Sequence, residues 1–114
     1  MKIETTMTNL ISLKSDCIKA MENCIRNCHE LLQKYKGIEE MSSCIKLCEL
    51  CINACQDCIA ACESVQANRG QFMQICVGIC NACIANFENY VQVEFKKSAL
   101  ACKDCIEEFE QVMA

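Results

Sequence analysis

Cysteine residues recur at helical spacing through the middle of the chain. Residues 44–62 read CIKLCELCINACQDCIAAC, in which successive Cys residues lie alternately four and three positions apart. In a coiled coil this is the spacing at which Leu or Ile fills the buried seam, and it places every Cys on one face of an α-helix. The segment is therefore predicted to form a helix whose buried face is made of sulfur rather than hydrocarbon.

The rest of the chain shows the same helical periodicity, with few breaks. Lys36-Gly37 and Asn68-Arg69-Gly70 are natural stops, and a weaker break is inferred between residues 89 and 93. With no Pro and only three Gly, the chain is a poor candidate for a turn-rich sandwich or barrel, a linker or collagen. Short connections predict one all-α domain over 1–114, an antiparallel up-down four-helix bundle with a Cys-lined core. The four helices are predicted over about 9–35, 39–67, 71–89 and 93–112.

Matching positions on antiparallel neighbours predict which Cys residues meet. Helices two and three are taken to join near Asn68, and the same matching is applied to the other helix pairs. The resulting pairs are Cys62–Cys76, Cys58–Cys80, Cys55–Cys83, Cys83–Cys102, Cys80–Cys105, Cys24–Cys51 and Cys17–Cys58. One layer with a Cys from every helix is therefore predicted, formed by Cys17, Cys58, Cys80 and Cys105. The dipeptide Cys-Ile also occurs seven times, and each Ile is expected to flank the Cys seam because a residue at i+1 lies about 100° round the helix.

Thiols at this spacing favour a metal over a disulfide. Side chains three or four apart on a helix have Cβ atoms about 5–6 Å apart, whereas a disulfide needs about 3.8 Å, although disulfides between helices remain geometrically possible. Soft thiolates select Cu(I), Zn(II) or iron–sulfur clusters. The chain has one His, its CxxC pairs lie inside helices, and it lacks the Pro-containing runs of iron–sulfur proteins. Cu(I) accepts bridging thiolates, so a continuous row of Cys suits many Cu(I) ions, up to about one per Cys.

The CxxxCxxC repeats, such as CIKLCELCINACQDCIAAC, resemble those of the bacterial copper storage proteins, and the likeness is greatest to the cytosolic branch. The resemblance covers essentially the whole chain. It implies a four-helix bundle that binds many Cu(I) ions in its core and that often self-associates as a tetramer. Ala20, Asn27 and Ser98 depart from the pattern at seam-like positions, and the His cluster of some relatives is absent. By the resemblance, the Cu(I) ligands are Cys17, Cys24, Cys28, Cys44, Cys48, Cys51, Cys55, Cys58, Cys62, Cys76, Cys80, Cys83, Cys102 and Cys105.

Charge and targeting signals indicate the compartment and exclude some partners. A formal charge of −4 and a pI near 5.0 argue against a nucleic-acid surface. Polar residues interrupt the first ten positions, so no secretory signal is expected. No stretch of the sequence is long and apolar enough for a membrane span. The sequence therefore predicts a cytoplasmic protein, in which thiols stay reduced.

Three Met residues are candidates for an accessory role. Met7, Met73 and Met113 are expected to gather at the Asn68 end of the bundle, where a thioether could receive Cu(I). At the opposite end Phe87, Tyr90 and Phe95 predict a hydrophobic plug, so copper is expected to enter at the Met end. His29 follows Cys28 directly and is expected on the surface.

Two other functions remain open from the residues alone. One is a redox-active or oxidant-scavenging thiol protein, which needs exposed Cys of low pKa with resolving partners. The other is a Zn(II) or Cd(II) buffer of the metallothionein type, which usually lacks helical apolar flanks. No His partners a nucleophile and no Gly-rich phosphate loop is present, so the protein is not expected to be an enzyme.

Overall fold

Four long helices make up the part of the chain that the structure describes. The structure, a computed structural model, describes the backbone of residues 2–64 and 67–113 and the side chains of residues 15–64 and 67–113. The helices are α1 (Lys2–Tyr35), α2 (Ser42–Glu63), α3 (Arg69–Phe87) and α4 (Val93–Met113), with a 3₁₀ turn at Glu39–Met41. No strand occurs in these ranges. The all-α prediction is confirmed.

The helices follow one another around a single core. α1 packs on α2 and α4, and α3 packs on the same two helices. Short connections reverse the chain direction each time, so that sequential neighbours are antiparallel. The predicted four-helix bundle is confirmed. None of the described helices has the length and apolar character needed to span a membrane.

Helix ends differ in how well the sequence predicted them. Gly37 has φ of 87° and turns the chain after α1, as expected of a Gly that follows a helix. α2 ends at Glu63, although the sequence analysis extended it to residue 67. Ser64 follows this end, and its backbone N–H and its Oγ both donate to the Ala60 carbonyl, at 3.1 Å and 2.7 Å. α3 then begins at Arg69 rather than at 71, so that Gly70 lies inside the helix.

Sulfur fills most of the core. All fourteen Cys residues are buried free thiols, and none exceeds 2% exposure. The Ile residues of the seven Cys-Ile dipeptides flank this seam as predicted: Ile52 is buried, and the others are partly buried against the core. These others are Ile18, Ile25, Ile45, Ile59, Ile84 and Ile106. The hydrocarbon therefore forms a sleeve around the thiols.

Aromatic rings close one end of the bundle. The Phe95 ring is fully buried and its centroid lies 4.2 Å from that of Tyr90, 5.1 Å from that of Tyr35 and 6.3 Å from that of Phe87. The predicted plug is therefore present, with Tyr35 as a fourth ring that the sequence analysis did not include. The Tyr35 hydroxyl donates to Glu94 Oε2 at 2.8 Å, and Lys34 also donates to that oxygen. We call these four rings the aromatic plug.

Glu94 is expected to make the stability of this end depend on pH. Hydrogen bonds from Lys34, the backbone and Tyr35 lower its pKa from 4.5 to about 2. A depressed folded-state pKa stabilises the fold above pH 4.5, and that contribution is lost as the pH falls from 4.5 towards 2. Glu94→Gln should therefore lower the melting temperature of the reduced, metal-free protein at pH 7, by at most about a few degrees. The difference from wild type should vanish near pH 2.

The matched control is Glu88→Gln, which removes an exposed ion pair with Lys103. Exposed pairs contribute little, so this variant should melt with the wild type at every pH. If Glu94→Gln lowered the melting temperature by the same amount at pH 7 and at pH 2, the charge of Glu94 would not be what stabilises this end.

Candidate metal centre

A layer of four thiols lies at the middle of the core. Cys24, Cys51, Cys80 and Cys102 come from the four different helices, and their Sγ atoms all lie within 4.8 Å of one another. The Sγ of Cys24 is 3.5 Å from that of Cys51 and 3.6 Å from that of Cys102. A tetrahedral metal–thiolate site with bonds of about 2.3 Å needs sulfur atoms about 3.8 Å apart. The layer can therefore contact a soft metal ion with little rearrangement.

A second group shares one thiol with this layer. Cys24, Cys55 and Cys105 also have Sγ atoms within 4.8 Å of one another, and the Sγ of Cys55 lies 3.5 Å from that of Cys76. Because Cys24 belongs to both groups, its sulfur can bridge ions bound in adjacent layers. The sulfur atoms thus form a connected series along the bundle axis rather than one isolated site.

Repeating these contacts along the heptads assigns every Cys to a layer. The thiols are most numerous in three middle layers and become fewer towards both ends. Starting at the aromatic plug, the layers contain Cys44; then Cys28, Cys48 and Cys83; then the central four; then Cys55, Cys76 and Cys105; then Cys17 and Cys58; and finally Cys62. We call the Cys62 side the distal end. Cys17 and Cys62 there are the only Cys residues with measurable exposure.

The predicted register between α2 and α3 is wrong. Cys55 contacts Cys76, whereas the sequence analysis paired it with Cys83, seven residues further on. α2 ends at Glu63 and α3 begins at Arg69, both earlier than the sequence analysis placed them, and α3 is displaced by about two turns relative to α2. The pairs Cys62–Cys76 and Cys58–Cys80 fail for the same reason.

The predicted four-helix layer of Cys17, Cys58, Cys80 and Cys105 is consequently not formed, because Cys80 lies in the central layer instead. The register predicted between α1 and α2 is confirmed by the Cys24–Cys51 contact at 3.5 Å. The register predicted between α3 and α4 is wrong by about one turn, because Cys80 lies in one layer with Cys102, whereas the sequence analysis paired it with Cys105.

Thiols in the middle of the core act as hydrogen-bond partners for one another. The Cys24 pKa is lowered to about 6, chiefly by a hydrogen bond from Cys102, whose own pKa is raised by that contact. Near the distal end, burial raises the pKa of Cys17 to about 12, and electrostatic interactions with Cys62 and Glu108 add to the effect. Among the described side chains, the buried polar ones are only Asn27 and Ser98. These described side chains therefore supply no buried cation to balance an array of thiolates.

The comparison with protein families agrees with this geometry. A family model described as "Csp: Copper storage protein" matches residues 3–114. The chain belongs to the copper storage protein family. The family recognised from the CxxxCxxC repeats is thus confirmed over nearly the whole chain. No curated protein and no solved structure matches the chain.

Two seam positions carry polar side chains that bond within the protein. Asn27 Nδ2 donates to the Asn23 carbonyl at 2.9 Å, and Ser98 Oγ donates to the Glu94 carbonyl at 2.9 Å. Ser98 occupies the remaining position in the layer of Cys28, Cys48 and Cys83. Since both side chains bond to carbonyls, neither needs a metal to satisfy it. Ala20 is partly buried.

The accessory residues proposed from the sequence differ in their burial. Met73 is buried at 3% exposure, whereas Met113 is 42% exposed. The side chain of Met7 lies outside the described residues. His29 is exposed as predicted. The sequence analysis missed Met21, which is fully buried in the α1 seam, although its spacing of four from Cys17 and three from Cys24 could have revealed it.

Proposed function

We propose that this protein stores and sequesters many Cu(I) ions in the cytoplasm, with the fourteen core Cys residues as thiolate ligands, and that it is not an enzyme. The observation that carries the proposal is the connected series of buried thiols contributed by all four helices. Membership of the copper storage protein family supports copper as the cargo.

Charge balance in the core favours Cu(I). Each thiol that binds Cu(I) loses a proton, so one thiolate and one Cu(I) neutralise each other. A neutral array can be buried without the large desolvation cost of unpaired charge. Since the described core contains no buried cation, the cargo itself must provide the positive charge. A load of about one Cu(I) per Cys meets this requirement.

Zn(II) fits the same core less well. A tetrahedral zinc site takes four ligands, and four thiolates around one Zn(II) leave two negative charges unbalanced in a buried site. The layers on either side of the central four contain three thiols each, with Ser98 or Met21 at the remaining corner. A zinc or cadmium buffer would therefore use little of the array.

Burial also argues against the thiol-redox alternative. An oxidant-sensing Cys must be exposed as well as of low pKa. The Cys24 pKa is lowered to about 6, but the residue has no exposed surface. Resistance of the metal-free thiols to mild peroxide is the expected behaviour.

A competition titration tests the storage function. Fully reduced protein is titrated anaerobically with Cu(I) against a coloured Cu(I) chelator, and in parallel with Zn(II). We expect tight uptake of about ten or more Cu(I) per chain and little Zn(II). Saturation at one to three ions would instead indicate a carrier or a structural site.

The layers provide a matched pair of variants for this titration. Cys24→Ala removes a thiol shared by two groups, whereas Cys44→Ala removes the single thiol of the layer next to the plug. Both residues are fully buried, so the packing defects are comparable. Cys24→Ala should lose more copper capacity than Cys44→Ala if thiolates bridge neighbouring ions.

Self-association is a further part of the proposal and rests on the family resemblance, which implies a tetramer. Leu50, Ile75 and Leu100 are large apolar side chains exposed on α2, α3 and α4, and burying them between chains would remove apolar surface from water. Sedimentation of the metal-free protein would give the number of chains.

A further inference from the structure

Met21 places a thioether among the thiols of the core. It lies on α1 between Cys17 and Cys24 and has no exposed surface. Cys24, one turn further along α1, has its Sγ within 4.8 Å of those of Cys55 and Cys105. The α1 register therefore puts Met21 in the layer of Cys55, Cys76 and Cys105. In that layer it takes the corner that Cys24 takes in the central layer.

Met73 lies one layer nearer the distal end. It precedes Cys76 by one turn on α3 and is 3% exposed, which places it with Cys17 and Cys58. Successive layers along a heptad seam are about 5 Å apart. The two thioethers thus lie in adjacent layers between Cys62 and the central four thiols.

The α1 seam itself shows what an ordinary apolar filler looks like in this core. Leu31 is fully buried on the same seam, and the register places it beside Cys44, Phe87 and Phe95. Leu31 thus fills a seam position whose neighbours are mainly aromatic. Met21 instead fills one whose three other corners are thiols, and thioether sulfur is a soft ligand suited to Cu(I).

We propose that Met21 is a Cu(I) ligand inside the thiol core, completing the coordination of an ion held by the thiolates of its layer, and that Met73 serves the same purpose in the next layer. A thioether has no proton to lose, so it coordinates without adding negative charge. Cu(I) can therefore bind to or leave Met21 without a proton transfer, which suits exchange between the distal end and the central layer. This inference rests on the proposed storage of Cu(I).

Selenomethionine labelling separates ligation from packing. A variant in which Met7, Met41, Met73 and Met113 are replaced by Leu keeps Met21 as its one Met besides Met1. Its selenium-edge X-ray absorption is recorded after anaerobic loading with Cu(I). We expect a copper shell around selenium. The matched control keeps Met41 instead of Met21; Met41 lies in the 3₁₀ turn beyond Cys44 and is buried at 9% exposure, and we expect no copper shell there.

The possible results distinguish the two proposals. Full copper loading without a copper shell at Met21 would overturn the ligand assignment and leave storage intact. Failure of the wild-type protein to take up Cu(I) would overturn storage itself. If the labelled variant does not fold, single substitutions provide a second test. Met21→Leu conserves the side-chain volume, and such changes are tolerated in most cores. It should take up Cu(I) several-fold more slowly than wild type, whereas Met41→Leu should not, and equal rates for all three proteins would contradict the exchange role.

Discussion

Full loading with Cu(I) should raise the melting temperature of this protein by tens of degrees over the reduced, metal-free form. A ligand that binds only the folded state stabilises it by about 4 kcal/mol per site when its free concentration is a thousand times the dissociation constant. A typical domain has a total stability of about 5–15 kcal/mol. The stabilisation that a few tightly occupied sites provide is therefore as large as the whole stability of a typical metal-free domain.

The metal-free core should be weak for a bundle of this length. A Cys side chain buries less apolar surface than Leu or Ile, and stabilisation scales with buried apolar area at about 25 cal/mol per Å². Each Cu(I) that bridges thiols from two helices also joins parts of the chain that are distant in sequence. Cys24 and Cys102, whose Sγ atoms are 3.6 Å apart, are separated by 78 positions.

Thermal unfolding followed by helical circular dichroism checks this expectation. The reduced protein is melted with increasing equivalents of Cu(I), and the melting temperature should climb over many equivalents before it levels off. A competing Cu(I) chelator should return it to the metal-free value, and Zn(II) should raise it much less. A melting temperature that stops rising after the first one or two ions would mean that the remaining thiols hold no copper.

The sequence predicted the features that depend on local periodicity. A Cys every three or four residues can share one face only on a helix, and the buried seams of all four helices follow from that spacing. The register between α2 and α3 was wrong because it depends on where a connection begins. There α2 ends at Glu63, although the helical periodicity of the sequence continues beyond that residue. A periodic pattern does not encode where a helix stops.

The site shows the same division between local and tertiary information. The burial of all fourteen Cys residues followed from the heptads, whereas their grouping into layers required the correct register. Met21 has the spacing of a seam residue, but spacing alone does not show which side chains surround it. That three thiols share its layer follows only from the register of the helices. The bond from Tyr35 to Glu94 joins residues 59 positions apart, so the sequence carried no local signal for it.

The two ends of the bundle should differ in their effect on copper exchange. Phe95→Ala and Phe109→Ala each remove a fully buried ring, and each should lower the free energy of unfolding by about 3–5 kcal/mol. Phe109 lies one turn beyond Cys105 on α4, in the layer of Cys17, Cys58 and Met73. Only Phe109→Ala is expected to speed the uptake of Cu(I), because the cavity that it leaves lies at the distal end, where Cys17 and Cys62 already have slight exposure.

Phe95→Ala is the matched control, because it costs similar stability while Tyr35, Phe87 and Tyr90 still cover its end of the core. Stopped-flow mixing of reduced protein with Cu(I), carried out well below both melting temperatures, gives the uptake rates. Faster uptake by Phe95→Ala alone would place the copper entrance at the aromatic plug. Equal acceleration in both variants would mean that copper reaches the thiols through general loosening of the bundle. Acceleration confined to Phe109→Ala fits a core that is closed by rings at one end and loaded through Cys17, Cys62 and the two buried thioethers at the other.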